Sequence, residues 1–220
     1  MQNTNNQTDH KHQDWQPEHW QWLAFTELNL RFSQSRQLIQ RWPDIGELFY
    51  EVDLSSLSHV LSDQQLTVWH ELRRVDLVRY LQKQYRWLQQ HPAQLITWHD
   101  ARFPASLKQI EDCPGWLWVQ GKAQLLHDPA VSMVGGRRAS PSGLALAREY
   151  GQSLASAGLT IISGLALGID GASHQGALDA GGDTIAVLGS GLADIYPARH
   201  QYLAAEIVNK GGALVSPWPL

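Results

Sequence analysis

A single cysteine in 220 residues leaves Cys113 no partner for a disulfide within the chain, and no thiolate cluster to hold a metal. The reducing cytoplasm is therefore the expected compartment. Long apolar runs are missing too: none approaches the roughly 20 residues a helix needs to cross a bilayer. The start MQNTNNQTDHKHQD lacks the apolar stretch of a signal peptide. No membrane partner is expected. Charge is sparse, with 17 Lys and Arg against 21 Asp and Glu and a formal charge of −4, which excludes a chain that coats polyanions by bulk charge. Any nucleic-acid site has to be a local patch. What is present is apolar, 43% of the chain, enough to build a core and to exclude disorder as the overall state.

Residues 1–14 are rich in Asn, Gln and His and cannot offset the entropy of ordering, so they read as a flexible tail. His10 and His12 lack a third ligand and read as solvated. From 15 to 92 the apolar residues recur at helical spacing. Trp20, Leu23, Ala24, Leu28 and Leu30 outline a first helix, and Leu38, Ile39 and Trp42 a second that stops before Pro43. Further stretches at 44–50, after Asp53 and from Asp63 through Trp69, Leu72, Leu77 and Tyr80 to Trp87 complete a small helical bundle. Ser62 and Asp63 cap the start of its long last helix. Tryptophans crowd this half of the chain, and their spacing assigns them to packing rather than to stacking on bases. Residues 93–125, with Pro92 just ahead and Phe103-Pro104 and Cys113-Pro114 within, read as a linker with extended pieces, one of them a strand at 116–120.

After Pro129 short apolar runs alternate with helical stretches. Strands at 130–134, 159–162, 184–188 and 213–215 are separated by helices at about 140–157, 168–180 and 199–209. Strands of this kind lie parallel, joined by right-handed crossovers, and the expected result is an α/β fold with a doubly wound, Rossmann-like parallel sheet over 126–220. Three glycine-bearing turns then meet at the carboxyl ends of the strands: Gly135-Gly136-Arg137, Ser163-Gly164 through Gly168, and Gly189-Ser190-Gly191. Glycine lets backbone approach a ligand, and helix starts behind such turns favour an anion.

That is a phosphate-binding crevice without a named phosphate. The dinucleotide fingerprint is absent: the first turn reads GGRRAS and the second strand ends in Ser163 rather than an acid. No G-x-x-x-x-G-K-[ST] exists either, so no nucleotide cofactor is expected. Arg137 is the strongest cation available at the crevice, able to hold a phosphate bidentately or to stack on a base. Asp170 and His174, four residues apart on one helix face, suit structural hydrogen bonding better than acid-base chemistry, because no nucleophile is placed beside them. A small anion fits the same crevice, so the alternative is a Rossmann-type nucleotide or ribose-phosphate binding protein or enzyme.

VGGRRAS at 134–140, SGLALGIDGASHQGAL at 163–178, GGDTIAVLGSGLADIYP at 181–197 and GALVS at 212–216 resemble, in order and spacing, the DNA-processing protein A (DprA, or Smf) family. The helical first half is similar in size and place to that family's sterile-alpha-motif-like domain. The resemblance implies a cytoplasmic protein without catalytic activity. It would bind single-stranded DNA, protect it and help load the RecA recombinase in natural transformation, as a homodimer when full length. Carried over residue by residue, it implies DNA contacts at Gly135, Gly136, Arg137, Ser140, Ser163, Gly164, Gly168, Gly189, Gly191 and Arg199, with Asp170, His174, Tyr196 and Pro197 supporting them. Gly136 departs from a usual Ser or Thr, Leu167 from an occasional Lys or Arg, and Pro217 from a common Glu. The family continues past the position of Leu220, so the sequence reads as truncated within its Rossmann-like domain, with a sheet edge or face left uncovered. Residues 131–220 hold five basic against six acidic side chains, and weaker DNA binding than in a full-length relative is expected.

Overall fold

The structure is a computed structural model that describes residues 17–220; the tail at 1–14, with His10 and His12, lies outside the described residues. Among the described residues seven helices come first: α1 (Pro17–Thr26), α2 (Phe32–Arg41), α3 (Ile45–Tyr50), α4 (Leu54–Leu57), α5 (Asp63–Arg74), α6 (Leu77–Tyr80) and α7 (Gln82–Gln90). Side-chain caps set several of the starts. Asp44 accepts from the Gly46 amide and Asp53 from Ser56. Ser62 and Gln65 form a reciprocal capping box at α5. The sequence reads 63–87 as one long helix. Instead α5 ends at Arg74, because the Asp76 carboxylate accepts from the Val78 and Arg79 amides and starts a new turn. Leu23, Phe25, Leu38, Ile39, Leu48, Phe49 and Leu72 form the bundle's core around Trp69, whose indole N–H donates to the Leu48 carbonyl at 3.2 Å.

Six strands follow: β1 (Ala93–Thr97), β2 (Trp116–Gly121), β3 (Ala130–Ser132), β4 (Thr160–Ser163), β5 (Thr184–Val187) and β6 (Ala213–Ser216), with α8 (Pro141–Ser156), α9 (Ile169–Asp179) and α10 (Gln201–Asn209) linking β3 to β6. They make one sheet in the order β1-β2-β6-β5-β4-β3. β3 to β6 run parallel, and β2 is antiparallel to both β1 and β6. The segment read as a linker thus supplies two strands of the sheet. β2 also covers β6, pairing Trp118 with Ser216, so the two edge strands of the sheet are β1 and β3.

Because consecutive parallel strands are neighbours laid down in one direction, right-handed crossovers put α8, α9 and α10 in a single layer on one face. Glycines let α8 and α9 approach closely: a β-carbon at Gly151 would sit 2.5 Å from the Ser173 carbonyl oxygen, and one at Gly176 would strike the Arg148 backbone. The helical bundle shares its core with that layer. Alternation along β2 aims Trp116 and Trp118 at it, with Phe25 edge-on to Trp116 at 5.6 Å, and aims Leu117 and Val119 at the other face. There the chain between β1 and β3 contributes Phe103, Cys113, Ala123 and Leu125 to a second core. That cover is incomplete, leaving an apolar groove of ≈ 440 Å³ over Leu117, Ile162, Ile185, Val187 and Val215. No helix among the described residues is long and apolar enough to cross a membrane.

Candidate nucleic-acid interface

β3, β4, β5 and β6 point the same way, so the segments leaving them gather at one rim. The first two turns touch. Gly168 has φ +86, and a β-carbon there would collide with the Gly136 carbonyl and lie 2.9 Å from the Arg137 carbonyl carbon. The Ile169 amide donates to the Gly136 oxygen at 3.4 Å, and Gly135 rests on Ile169, where a β-carbon would come within 2.6 Å of Cγ1. Two glycines therefore weld the Arg137 turn to the start of α9. Arg137 and Arg138 are exposed, and no carboxylate among the described residues pairs with either. Just after them Ser140 caps α8, its Oγ accepting from the Gly143 amide at 3.1 Å, so the positive end of a 16-residue helix directly follows the Arg137-Arg138 turn.

The second turn is closed on itself. Ser163 is buried, and its hydroxyl donates to the Met133 carbonyl at 2.6 Å. Asp170 Oδ2 accepts from the Gly164 and Ala166 amides at 3.2 and 3.3 Å, and the Gly171 amide donates to the Ala166 carbonyl. Leu165 adopts φ +59, and its carbonyl oxygen lies 2.7 Å from His200 Nδ1, which must carry the proton. His200 packs over Gly171, where a β-carbon would be 2.6 Å from its Cε1. His200 is not among the site residues read from the sequence; the signal that could have found it is the matching glycine at 171.

In the third turn Gly189 is exposed and open around its α-carbon, whereas Gly191 has no room for a side chain beside the Pro219 carbonyl. Ser216 Oγ donates to the Ser190 carbonyl at 2.6 Å and ties β6 to this turn. The sequence counts Ser163, Gly164, Gly168 and Gly191 among ligand contacts. Of these, Ser163 is buried and Gly168 and Gly191 are partly buried, all three with contacts inside the protein that shape the rim, while Gly164 is exposed although its amide donates to Asp170. Gly135, Gly136, Arg137, Ser140, Gly189 and Arg199 are open to solvent, as are Tyr196, 69% exposed, and in part Pro197.

His174 is fully buried. Thr184 Oγ1 donates to the Ile161 carbonyl, so it accepts from His174 Nδ1–H at 2.7 Å, and His174 Nε2 carries a lone pair with no hydrogen-bond partner among the described residues. Burial, with His200 nearby, lowers its pKa to about 4. Both members of the Asp-His pair are thus committed to internal bonds. No three His, Cys, Asp or Glu side chains among the described residues are grouped to hold a metal.

Residues 94–220 match the family model of DNA recombination-mediator protein A. The chain belongs to that family. The matched region takes in β1 and β2 together with the whole rim. Protein Smf of Escherichia coli (strain K12) is 45% identical over 134 residues, covering 61% of this chain and 36% of that protein. DNA processing protein DprA of Streptococcus pneumoniae is 42% identical over 110 residues, covering 50% and 39%. The chain therefore spans a little over a third of the length of these two relatives. The X-ray structure of the Streptococcus pneumoniae protein superposes with a TM-score of 0.71 at 29% identity, covering 90% of this chain and 67% of that one. DNA processing protein A of Helicobacter pylori, whose structure addresses its single-stranded DNA binding mode, gives 0.50 at 28% identity over 58% and 57% of the two chains.

Proposed function

We propose that the rim binds single-stranded DNA, and that the protein acts without catalysis as a recombination mediator in the cytoplasm. In that role it protects incoming DNA and, as a homodimer in its full-length form, helps load the RecA recombinase in natural transformation. One observation carries the reading: Arg137 is exposed, unpaired with any described carboxylate, and fixed by the Gly136–Gly168 contact at the strand ends. The phosphodiester chain lies across Arg137, the exposed Gly135-Gly136 backbone and the start of α8. Arg199 adds charge, and Tyr196 offers a ring on which a base can stack. The internal commitments of Asp170 and His174 support a binding role over an acid-base one.

A fluorescence-anisotropy titration with a single-stranded oligonucleotide tests the reading. Salt-dependent binding that Arg137→Ala weakens by about 1–3 kcal/mol supports it. Equal binding by both proteins overturns it, and a thermal shift given by a mononucleotide but not by the oligonucleotide would replace it with a small-ligand site.

A further inference from the structure

Five of the chain's 17 Lys and Arg fall within residues 73–86, against one acid. That acid, Asp76, is committed to capping α6. Arg73 is committed too: it lies over the Trp69 ring at 4.5 Å and donates to the Val52 and Tyr50 carbonyls. Arg79, Lys83 and Arg86 are exposed, and no carboxylate among the described residues pairs with them.

Their placement follows from the helix. Leu81 joins α6 to α7 with φ −92 and ψ 13, and its amide and carbonyl continue the ladder to Leu77 and Tyr85. Leu77, Leu81 and Leu88 are buried on one side. At about 100° per residue, Arg79, Lys83 and Arg86 fall on the opposite side, within some 60° of one another. They span roughly 10 Å of helix axis at 1.5 Å per residue. Tyr80, 47% exposed, and Val78, 52% exposed, flank this row.

We infer that the outward face of α6 and α7 is a second surface for the phosphodiester backbone of the same single-stranded DNA, an inference that rests on the proposed function of the rim. A row of like charges at helical spacing, with Asp76 the one acid in the segment and its carboxylate turned to the α6 amides, complements a polymer with evenly spaced phosphates. A single acidic side chain on a protein partner would engage one of the three.

Salt-dependent anisotropy on the full chain with a single-stranded oligonucleotide longer than the rim tests this. The double variant Arg79→Gln, Lys83→Gln should lower the slope of log affinity against log salt by about 1.4, since each single-strand contact contributes about 0.7. A control, Lys122→Gln with Lys210→Gln, makes the same change in net charge at ammonium groups that face Asp183 at 3.6 Å and Glu206 at 2.8 Å; it should leave the slope unchanged. A patch slope equal to that of wild type or of the control overturns the inference. Arg137→Ala separates the two readings. Weakened binding there with an unchanged patch slope rejects this surface alone, whereas a reduced patch slope with no effect of Arg137→Ala rejects the rim alone. A wild-type chain without salt-dependent binding rejects both.

Discussion

Gly168 lies so close to Arg137 that a β-carbon on the glycine would sit 2.9 Å from the arginine's carbonyl carbon, and its φ of +86 is one that other residues adopt only under strain. Gly168→Ala should therefore displace the Arg137 turn and destabilise the protein by more than about 1 kcal/mol. Binding and melting temperature should fall together, as read by anisotropy and a thermal melt.

The two glycines of the first turn are not equivalent. A β-carbon at Gly136 meets nothing within 4 Å, whereas one at Gly135 runs into Ile169. Gly136→Ser should keep the wild-type melting temperature and tighten single-stranded DNA binding by supplying a hydroxyl worth about 0.5–1.5 kcal/mol. Gly135→Ala should weaken binding and lower the melting temperature.

Alternation of apolar runs and glycine stops made the β3-to-β6 half legible, and Ser62 announced its helix because capping is a local interaction. The strand at 116–120 was legible as a strand, but its place in the sheet was not. β1 begins one residue after Pro92, and β2 finds its second partner at Ser216, a pairing no local pattern records. At the rim, GGR marked the turn that faces solvent. A similar glycine cue at Ser163-Gly164 marked a loop whose Gly164 and Ala166 amides are taken by Asp170, six residues on from Gly164. A glycine that admits a ligand and one that admits a neighbouring carbonyl, as at Gly191, look alike until the neighbour is in place.

Asp170, 7% exposed, holds the second turn by two amide hydrogen bonds. Asp170→Ala leaves both amides without that acceptor and should cost about 2 kcal/mol or more. Urea titration should show a lower midpoint with an unchanged slope, and Asp170→Asn, which keeps one acceptor oxygen, should lose less.

His174 imposes a pH dependence on stability. Its pKa falls from 6.5 to about 4 on folding, so between these values the unfolded chain binds the extra proton and the folded one does not. The contribution is whole above pH 6.5 and is lost as the pH falls toward 4, amounting to about 3 kcal/mol at roughly 1.4 kcal/mol per unit. Chemical denaturation at pH 7 and pH 4.5 should show this loss in the wild type, and His174→Asn should be less stable at pH 7 with a flatter profile.

Photo-crosslinking reads the rim's occupancy directly. With a single-stranded oligonucleotide carrying a photoreactive base at each position in turn, mass spectrometry should find the attached nucleotides on peptides holding Arg137 and Tyr196. Competition with unlabelled single strands should remove them, and Arg137→Ala should deplete them. Attachment confined to peptides from the β1–β2 edge or from the groove over Ile185 and Val215, with the rim peptides unmodified, would contradict the account.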